Sequence, residues 1–249
     1  MNKKKILITG FPHTGTSILK SKFGECSNLY EAPFEYYTVT QDDINKSGDK
    51  EFVLKKSPII PVEIRANTLQ RSRVVGSEYG DYIIIFVMRN PYNVCTSLIK
   101  SGHNPLNNLQ PNEGIEYHHS VREYLAAAKI FVDARDNNYS NIYSIRYEDF
   151  FPNNFEKLRE LMDNIGLEYT EDIFHNRSKD YVIVGGVNLN NIDVDNIDEK
   201  NKGVFRTWQI NQPFENMNKN VNIPDELAEI LKNSEIVKEM GYSDPRLID

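Results

Sequence analysis

Two groups of residues in this chain have the types and spacing to hold phosphate. The first is Gly10-Phe11-Pro12-His13-Thr14-Gly15-Thr16-Ser17, which follows a short apolar run at residues 6–9. In the triphosphate form of such a loop, G-x-x-x-x-G-K-[ST], the lysine grips the outer phosphates and the hydroxyl holds Mg²⁺. Thr16 stands here at the lysine position. Backbone N–H groups and the dipole of the following helix still make an anion site. Without the gripping cation, the loop suits a ligand with one 5′-phosphate better than a triphosphate chain. The second group lies in "VMRNPYNVCTSLIKS", where Arg89 ends an apolar strand and Ser97 follows eight residues later, two turns into the next helix. An arginine fork and a hydroxyl converging from these places would hold a second phosphate. Two such sites at neighbouring strand ends describe a nucleotide phosphorylated at both ends of its ribose.

The elements that must position these groups follow from periodicity. Strands are expected at 4–9, in "NLYEAPF", in "EFVLKKSP", in "DYIIIFVMR" and in "NIYSIRYEDF". The segment "DYIIIFVMR" is too continuously apolar for a half-exposed strand and belongs in the middle of a parallel sheet. Helices are expected at 15–24, in "VEIRANTLQRS" (with Ile64 and Leu69 on one side), from Pro91 after an Asn90 cap, across 114–136, from about Pro152 to Ile165, and at 224–240 up to Gly241. This alternation predicts an α/β fold, a mostly parallel central sheet flanked by helices, with ligands beyond the carboxyl ends of the strands. One domain over 1–249 is expected, with an irregular Asn- and Asp-rich loop at 188–202. Asp193, Asp195 and Asp198 in that loop lack the glycine and terminal glutamate of a calcium loop, so it reads as solvated surface.

Composition narrows the function. The 249 residues carry 36 acidic against 29 basic side chains, a formal net charge of −7, which argues against a nucleic-acid partner. No run approaches the roughly 18 apolar residues of a membrane span. The N-terminal lysines precede too short an apolar run for a signal peptide, so the expected location is cytoplasmic and the sequons at Asn138 and Asn176 carry little meaning. Cys26 and Cys95 read as core thiols. Nothing in the sequence speaks to oligomeric state.

With these motifs in hand, the chain resembles the sulfotransferases that use 3′-phosphoadenosine 5′-phosphosulfate (PAPS) and release adenosine 3′,5′-bisphosphate (PAP), in a fold like that of the P-loop nucleotide-binding proteins. "FPHTGTS" resembles their 5′-phosphosulfate loop, "RNPYNVCTS" their 3′-phosphate element, and "IRYEDF" their Tyr-Glu-Asp strand. "FRTWQINQPF" at 205–214 resembles their C-terminal element, placed here within about 203–215. The resemblance covers residues 5 to about 215. It implies that Pro12, His13, Thr14, Gly15, Thr16 and Ser17 bind the 5′ end, and that Arg89 and Ser97 bind the 3′-phosphate. It further implies that Tyr147 lies near the adenine and that a basic residue, Arg206, returns to the nucleotide. A phosphosulfate has no γ-phosphate, which accounts for the absent lysine.

The family's loop usually has Lys or Arg where this chain has His13, so any charge there would depend on pH. Lys56, in "LKKSP", matches the family's K-[ST]-P element and is the expected replacement, since strand alternation lets only one of Lys55 and Lys56 face the site. The family's general base is a His or Glu. Glu31 is the expected choice and Glu35 the next, with His103 and the pair His118-His119 as further candidates. Adjacent helical residues point about 100° apart, which disfavours a metal shared by that pair, and metal-independent activity is expected. The soluble detoxifying branch has a histidine in a K-T-H element that "KKSP" lacks, so a carbohydrate or other polar acceptor is expected. Tyrosines in "YEAPFEYY" and "EGIEYHHSVREY" would stack on sugars or fill core. Two competing readings are a P-loop-type nucleotide kinase and a nucleotide-binding module without catalysis. The first lacks a carboxylate where the central strand ends in Arg89.

Overall fold

The computed structural model describes residues 3–33, 38–57, 79–106, 119–175 and 221–247. Glu35, His118, Arg206, the expected helix in "VEIRANTLQRS", the loop 188–202 and the element 203–215 lie outside the described residues.

Five strands form one parallel sheet: β1 (Lys4–Gly10), β2 (Leu29–Glu31), β3 (Phe52–Lys56), β4 (Tyr82–Met88) and β5 (Ile142–Arg146). Their order is β2-β3-β1-β4-β5. The chain leaves β1 toward β2 and leaves β4 toward β5, on opposite sides, so the connections diverge between β1 and β4. A ligand crevice belongs beyond the carboxyl ends at such a point. Register brings those ends together: Gly10 pairs with Val87, Ile8 with Lys56, and Met88 with Arg146.

Helices cover both faces, and strand alternation divides the core between them. Ile6, Ile8, Ile85 and Val87 point to the face packed by Leu19 and Phe23 of α1 (Thr16–Phe23) and by Leu158, Leu161 and Met162 of α5 (Pro152–Ile165). Leu7, Ile84, Phe86 and Met88 point to the other face. There they meet α3 (Pro91–Lys100), α4 (Val121–Asn137), α7 (Asp225–Lys232) and α8 (Glu235–Glu239). Two short helices, α2 (Gln41–Lys46) and α6 (Asp172–His175), complete the described elements of this kind. Cys26 and Cys95 are both buried, and burial pushes each thiol up to about 12. No helix among the described residues is long and apolar enough to cross a membrane.

Several elements differ from expectation for local reasons. The strand expected through "IRYEDF" stops at Arg146, and Tyr147–Phe150 turns as a 3₁₀ helix. Arg146 binds Asp149 with two hydrogen bonds (2.9 and 2.8 Å), which closes that turn. The helix expected at 224–240 is two helices, separated at Asn233 and Ser234, residue types that favour helix ends over helix interiors. In α5, Asn153, Asn154 and Phe155 have φ of 51°, 57° and 62°, so the right-handed helix begins only after them. The short α2 was absent from the expectation, although Thr40 and Asp43 form a reciprocal capping box that its sequence contains.

Asp43 also pairs with the strand lysine that alternation turns toward it. Lys55, 1% exposed, reaches it at 3.0 Å. Burial alone would raise the Asp43 carboxyl, but the Thr40 backbone N–H and hydroxyl, and then Lys55, outweigh it and hold the group below its ordinary value. A carboxyl depressed on folding contributes stability above its unfolded pKa of about 3.9 and loses it as pH falls through the folded value. Stability should therefore decline from about pH 4 downward. In an Asp43→Asn variant, urea unfolding across that range should show a shallower decline; an unchanged slope would exclude Asp43 as a contributor.

Candidate functional site

The loop between β1 and α1 is shaped by a glycine that allows close approach to β4, and by a glycine and a histidine with positive φ. Gly10 ends β1 so close to β4 that a Cβ would stand 2.2 Å from the Val87 carbonyl oxygen. Gly15, with φ of 99°, caps α1, and a Cβ there would lie 2.4 Å from Cδ2 of Tyr147. His13 takes φ of 67°, a region that non-glycine residues enter rarely. Inside the turn, the Thr14 hydroxyl donates to the Phe11 carbonyl at 2.6 Å and the Thr14 amide to the same oxygen at 3.3 Å. Thr16, at the lysine position, is buried, whereas Pro12, Gly15 and Ser17 are half-buried.

A cation reaches this loop from β3. Lys56, 3% exposed, donates from Nζ to the Ser17 hydroxyl at 2.8 Å, on the first turn of α1. Alternation thus sends Lys56 to the loop and Lys55 to Asp43. Both are buried; neither is a solvated surface lysine.

Arg89 follows β4 directly and is 5% exposed. Its guanidinium lies 4.2 Å from the centre of the Tyr147 ring, a cation–π contact. Its carbonyl accepts from the buried Tyr124 hydroxyl at 2.7 Å. Burial, and after it the Glu148 charge, pushes that phenol well above its ordinary pKa, so it remains a donor. Asn90 caps α3 through a bond from the Tyr92 amide, with Pro91 at the first position. The Asn90 amide donates to Glu148 (2.8 Å), and Glu148 in turn accepts from the Tyr242 hydroxyl (2.8 Å). The Tyr-Glu-Asp turn therefore fixes the mouth of the site twice, with Tyr147 between Arg89 and Gly15 and Glu148 on the start of α3. Ser97, 2% exposed, lies 2.8 Å from Nδ1 of His13. That contact ties the loop to α3.

The structure gathers Lys56 and Ser17, His13 and Ser97, and Arg89 with Tyr147 and Gly15. It does not bring Glu31 to them. Glu31 is level with Leu54 in the register of β2 and β3, and its carboxylate binds Lys20 at 2.8 Å. It packs against Gly24, at the opposite end of α1 from the loop, where a Cβ would meet its Oε2 at 2.1 Å. The roles of Glu148 and Tyr124 were not foreseen from sequence. Glu148 had a signal, the Tyr-Glu-Asp triplet, but a partner on α3 is a tertiary fact. His103 and His119 stand beside His13, with ring centres 6.4 Å from it in each case.

A Gly15→Ala substitution combines a disfavoured φ with the Tyr147 clash. It should destabilise the protein by about 2–3 kcal/mol, read as a lowered urea midpoint with unchanged slope. A Gly15→Ala/Tyr147→Ala double variant should fall less than the sum of the two single changes, since the clash is shared. Strict additivity would mean that the ring does not press on the loop.

No family model matches the chain, and no curated protein matches it. Solved structures do. The mouse sulfotransferase SULT7A1, determined with PAP, superposes with a TM-score of 0.53 at 16% identity, over 97% of this chain and 89% of that one. The sulfotransferase domain of the curacin biosynthetic pathway gives 0.53 at 14% identity, over 98% and 99%. The sulfotransferase domain of the Synechococcus PCC 7002 olefin synthase gives 0.51 at 12% identity, over 98% and 96%. Likeness extending across nearly the whole of each chain shows that this protein has the α/β fold of these sulfotransferases.

Proposed function

We propose that the protein transfers a sulfuryl group from PAPS to a hydroxyl or amine acceptor and releases PAP. The observation that carries this reading is Lys56 on Ser17: a buried cation delivered from β3 to a phosphate-type loop that has lost its own lysine. That arrangement serves a short 5′ group rather than a triphosphate. The donor fits the residues present. Glycines at 10 and 15 leave no room for side chains on the loop's backbone side, a helix N-terminus such as that of α1 leaves backbone N–H groups unpaired within the helix, and Arg89 is held by Tyr124 and Tyr147 at the adjacent strand end. The PAP bound to mouse SULT7A1 supports the same assignment.

PAPS supplies an activated sulfuryl group and a stable leaving phosphate. The chain's own residues do the rest. Backbone N–H groups of residues 13–17 would orient the 5′ end, and Lys56 would neutralise the charge that grows on the departing oxygen. His13 would add a hydrogen bond at the same place. Arg89 and Ser97 would take the 3′-phosphate, Tyr147 would lie by the adenine, and Arg206 would close on the nucleotide from the C-terminal side. In-line attack needs a proton acceptor for a hydroxyl nucleophile. Glu31 is held by Lys20 at the far end of α1, so we place this role with His103 or His119, beside the loop histidine. The proposed acceptor is a carbohydrate or another polar molecule.

The test is incubation with PAPS and a panel of sugars, phenols and amines, following PAP and sulfated product together. Acceptor-dependent formation of both in equal amount is the expected result. PAP binding without turnover on any acceptor would favour the non-catalytic module, and consumption of ATP would favour the kinase.

A further inference from the structure

Three histidines converge where the loop, α3 and α4 meet, and nothing in the sulfuryl-transfer reading requires three. His13, His103 and His119 each offer a ring nitrogen, and these atoms all lie within 4.8 Å of one another. The rings of His103 and His119 are stacked, with centres 3.8 Å apart and planes 4° from parallel. Along the sequence these residues are far apart, and His119 reads naturally as the neighbour of His118; only the fold groups them.

Each histidine sits on backbone fixed by its own device. His103 ends a Schellman motif: its amide donates to the Leu98 carbonyl (3.0 Å) and the Gly102 amide to that of Ile99 (2.9 Å), with Gly102 at φ of 80°. His119 immediately precedes Ser120, whose hydroxyl caps α4 by accepting from the Glu123 amide, and the Val121 amide binds the Pro105 carbonyl (2.9 Å). That last bond ties the start of α4 to the segment carrying His103. His13 is set by its positive φ and by Ser97 at 2.8 Å from Nδ1. A hydrogen-bond partner on one ring nitrogen is a recurring arrangement around histidine ligands, because it orients the ring. All three side chains are half-buried, so an ion can reach them from solvent.

We infer that His13, His103 and His119 form a binding site for a transition-metal dication of the zinc class. Three neutral imidazoles suit Zn²⁺, Cu²⁺ or Ni²⁺ rather than Mg²⁺ or Ca²⁺, which prefer oxygen ligands. Zn–N bonds of about 2.0–2.1 Å in a tetrahedron put ligand nitrogens roughly 3.3 Å apart. The ring nitrogens now lie within 4.8 Å of one another, so metal binding requires the stacked His103 and His119 rings to turn out of parallel to converge on one ion. Three protein ligands leave a fourth position for water or another small ligand. Binding should weaken as pH falls through the imidazole range, because each ligand must be neutral. The site shares His13 with the proposed donor loop and uses the two histidines proposed as proton acceptor, so a bound ion and acceptor deprotonation compete for the same ring nitrogens.

The experiment uses the full chain, freed of metal by chelator and dialysed. Titration with Zn²⁺ should show one ion per chain by calorimetry and by metal analysis. Replacing Zn²⁺ with Co²⁺ should give the intense visible absorption of a four-coordinate site, which metal adsorbed on single surface histidines does not give. A His103→Ala/His119→Ala variant should lose the Co²⁺ spectrum and bind Zn²⁺ at least about 100-fold more weakly, while Cys26→Ala, a buried change on the other side of the sheet from α3 and α4, should leave both unchanged. Should the double variant fail to fold, the spectrum of the native chain decides alone. Absence of that spectrum, or Zn²⁺ uptake that survives the double variant, would overturn the inference.

Discussion

A Lys56→Met variant should retain the fold and bind PAP, yet turn over about 10²–10³-fold more slowly with PAPS. Methionine approximates the volume of the lysine stem and leaves no charge behind in a site that is 3% exposed. Core packing around β3 should therefore survive, and the melting temperature should move little. The loss should fall on kcat more than on KM. Charge on the bridging oxygen grows as the bond to sulfur breaks, so the ammonium beside Ser17 acts mainly in the transition state. Lys56→Arg should recover part of the rate, because charge is kept while the reach changes. By contrast, Lys55→Met removes the partner of Asp43 on the other side of the strand; it should lower stability, by about 3–5 kcal/mol for a buried pair left half-empty, and leave the kcat of the folded fraction unchanged. A kcat equal to that of the parent in Lys56→Met would remove this lysine from the chemistry.

The second large effect is expected at Arg89. Charge-assisted hydrogen bonds contribute about 1.5–3 kcal/mol each, so losing a two-pronged contact to a 3′-phosphate should weaken PAP binding by roughly 10²-fold or more. Arg89 also stacks on Tyr147, which presses on Gly15, so Arg89→Ala will disturb the loop as well. The informative quantity is the ratio of affinities for PAP and for adenosine 5′-monophosphate, which differ by the 3′-phosphate. General damage to the loop weakens both alike. Loss of the 3′-phosphate contact collapses the ratio toward one, the result expected for Arg89→Ala and, less completely, for Arg89→Lys. A ratio unchanged in both variants would place the 3′-phosphate elsewhere.

Much of this architecture was legible in residue order alone. The unbroken apolar run at 82–88 could only be a strand covered on both faces, and it is an interior strand flanked by β1 and β5, although β1 and not β4 stands in the middle of the sheet. Asn90-Pro91 announced the start of α3, and strand alternation separated the tasks of Lys55 and Lys56. What escaped the sequence were contacts made across large separations. Glu31 ends β2, but β2 is three residues long and stops level with Ile6 through Leu54, short of the loop, and Lys20 takes the Glu31 carboxylate. Strand length, set by where pairing stops, is poorly encoded locally. The Tyr-Glu-Asp segment looked extended because its neighbours are, whereas the Arg146–Asp149 fork bends it back. His103 and His119 join His13 only because a helix end, a helix start and a loop meet in space.

The most direct test of the central claim compares ligands by thermal shift: PAP, PAPS and ATP with Mg²⁺, each at the same concentration. A ligand at 100 times its dissociation constant stabilises the folded state by about 2.7 kcal/mol. The account predicts a clear upward shift with PAP and PAPS, little with ATP and Mg²⁺, and loss of the PAP shift in Arg89→Ala. A shift confined to ATP with Mg²⁺ would contradict it, and the loop between β1 and α1 would then belong to a triphosphate enzyme.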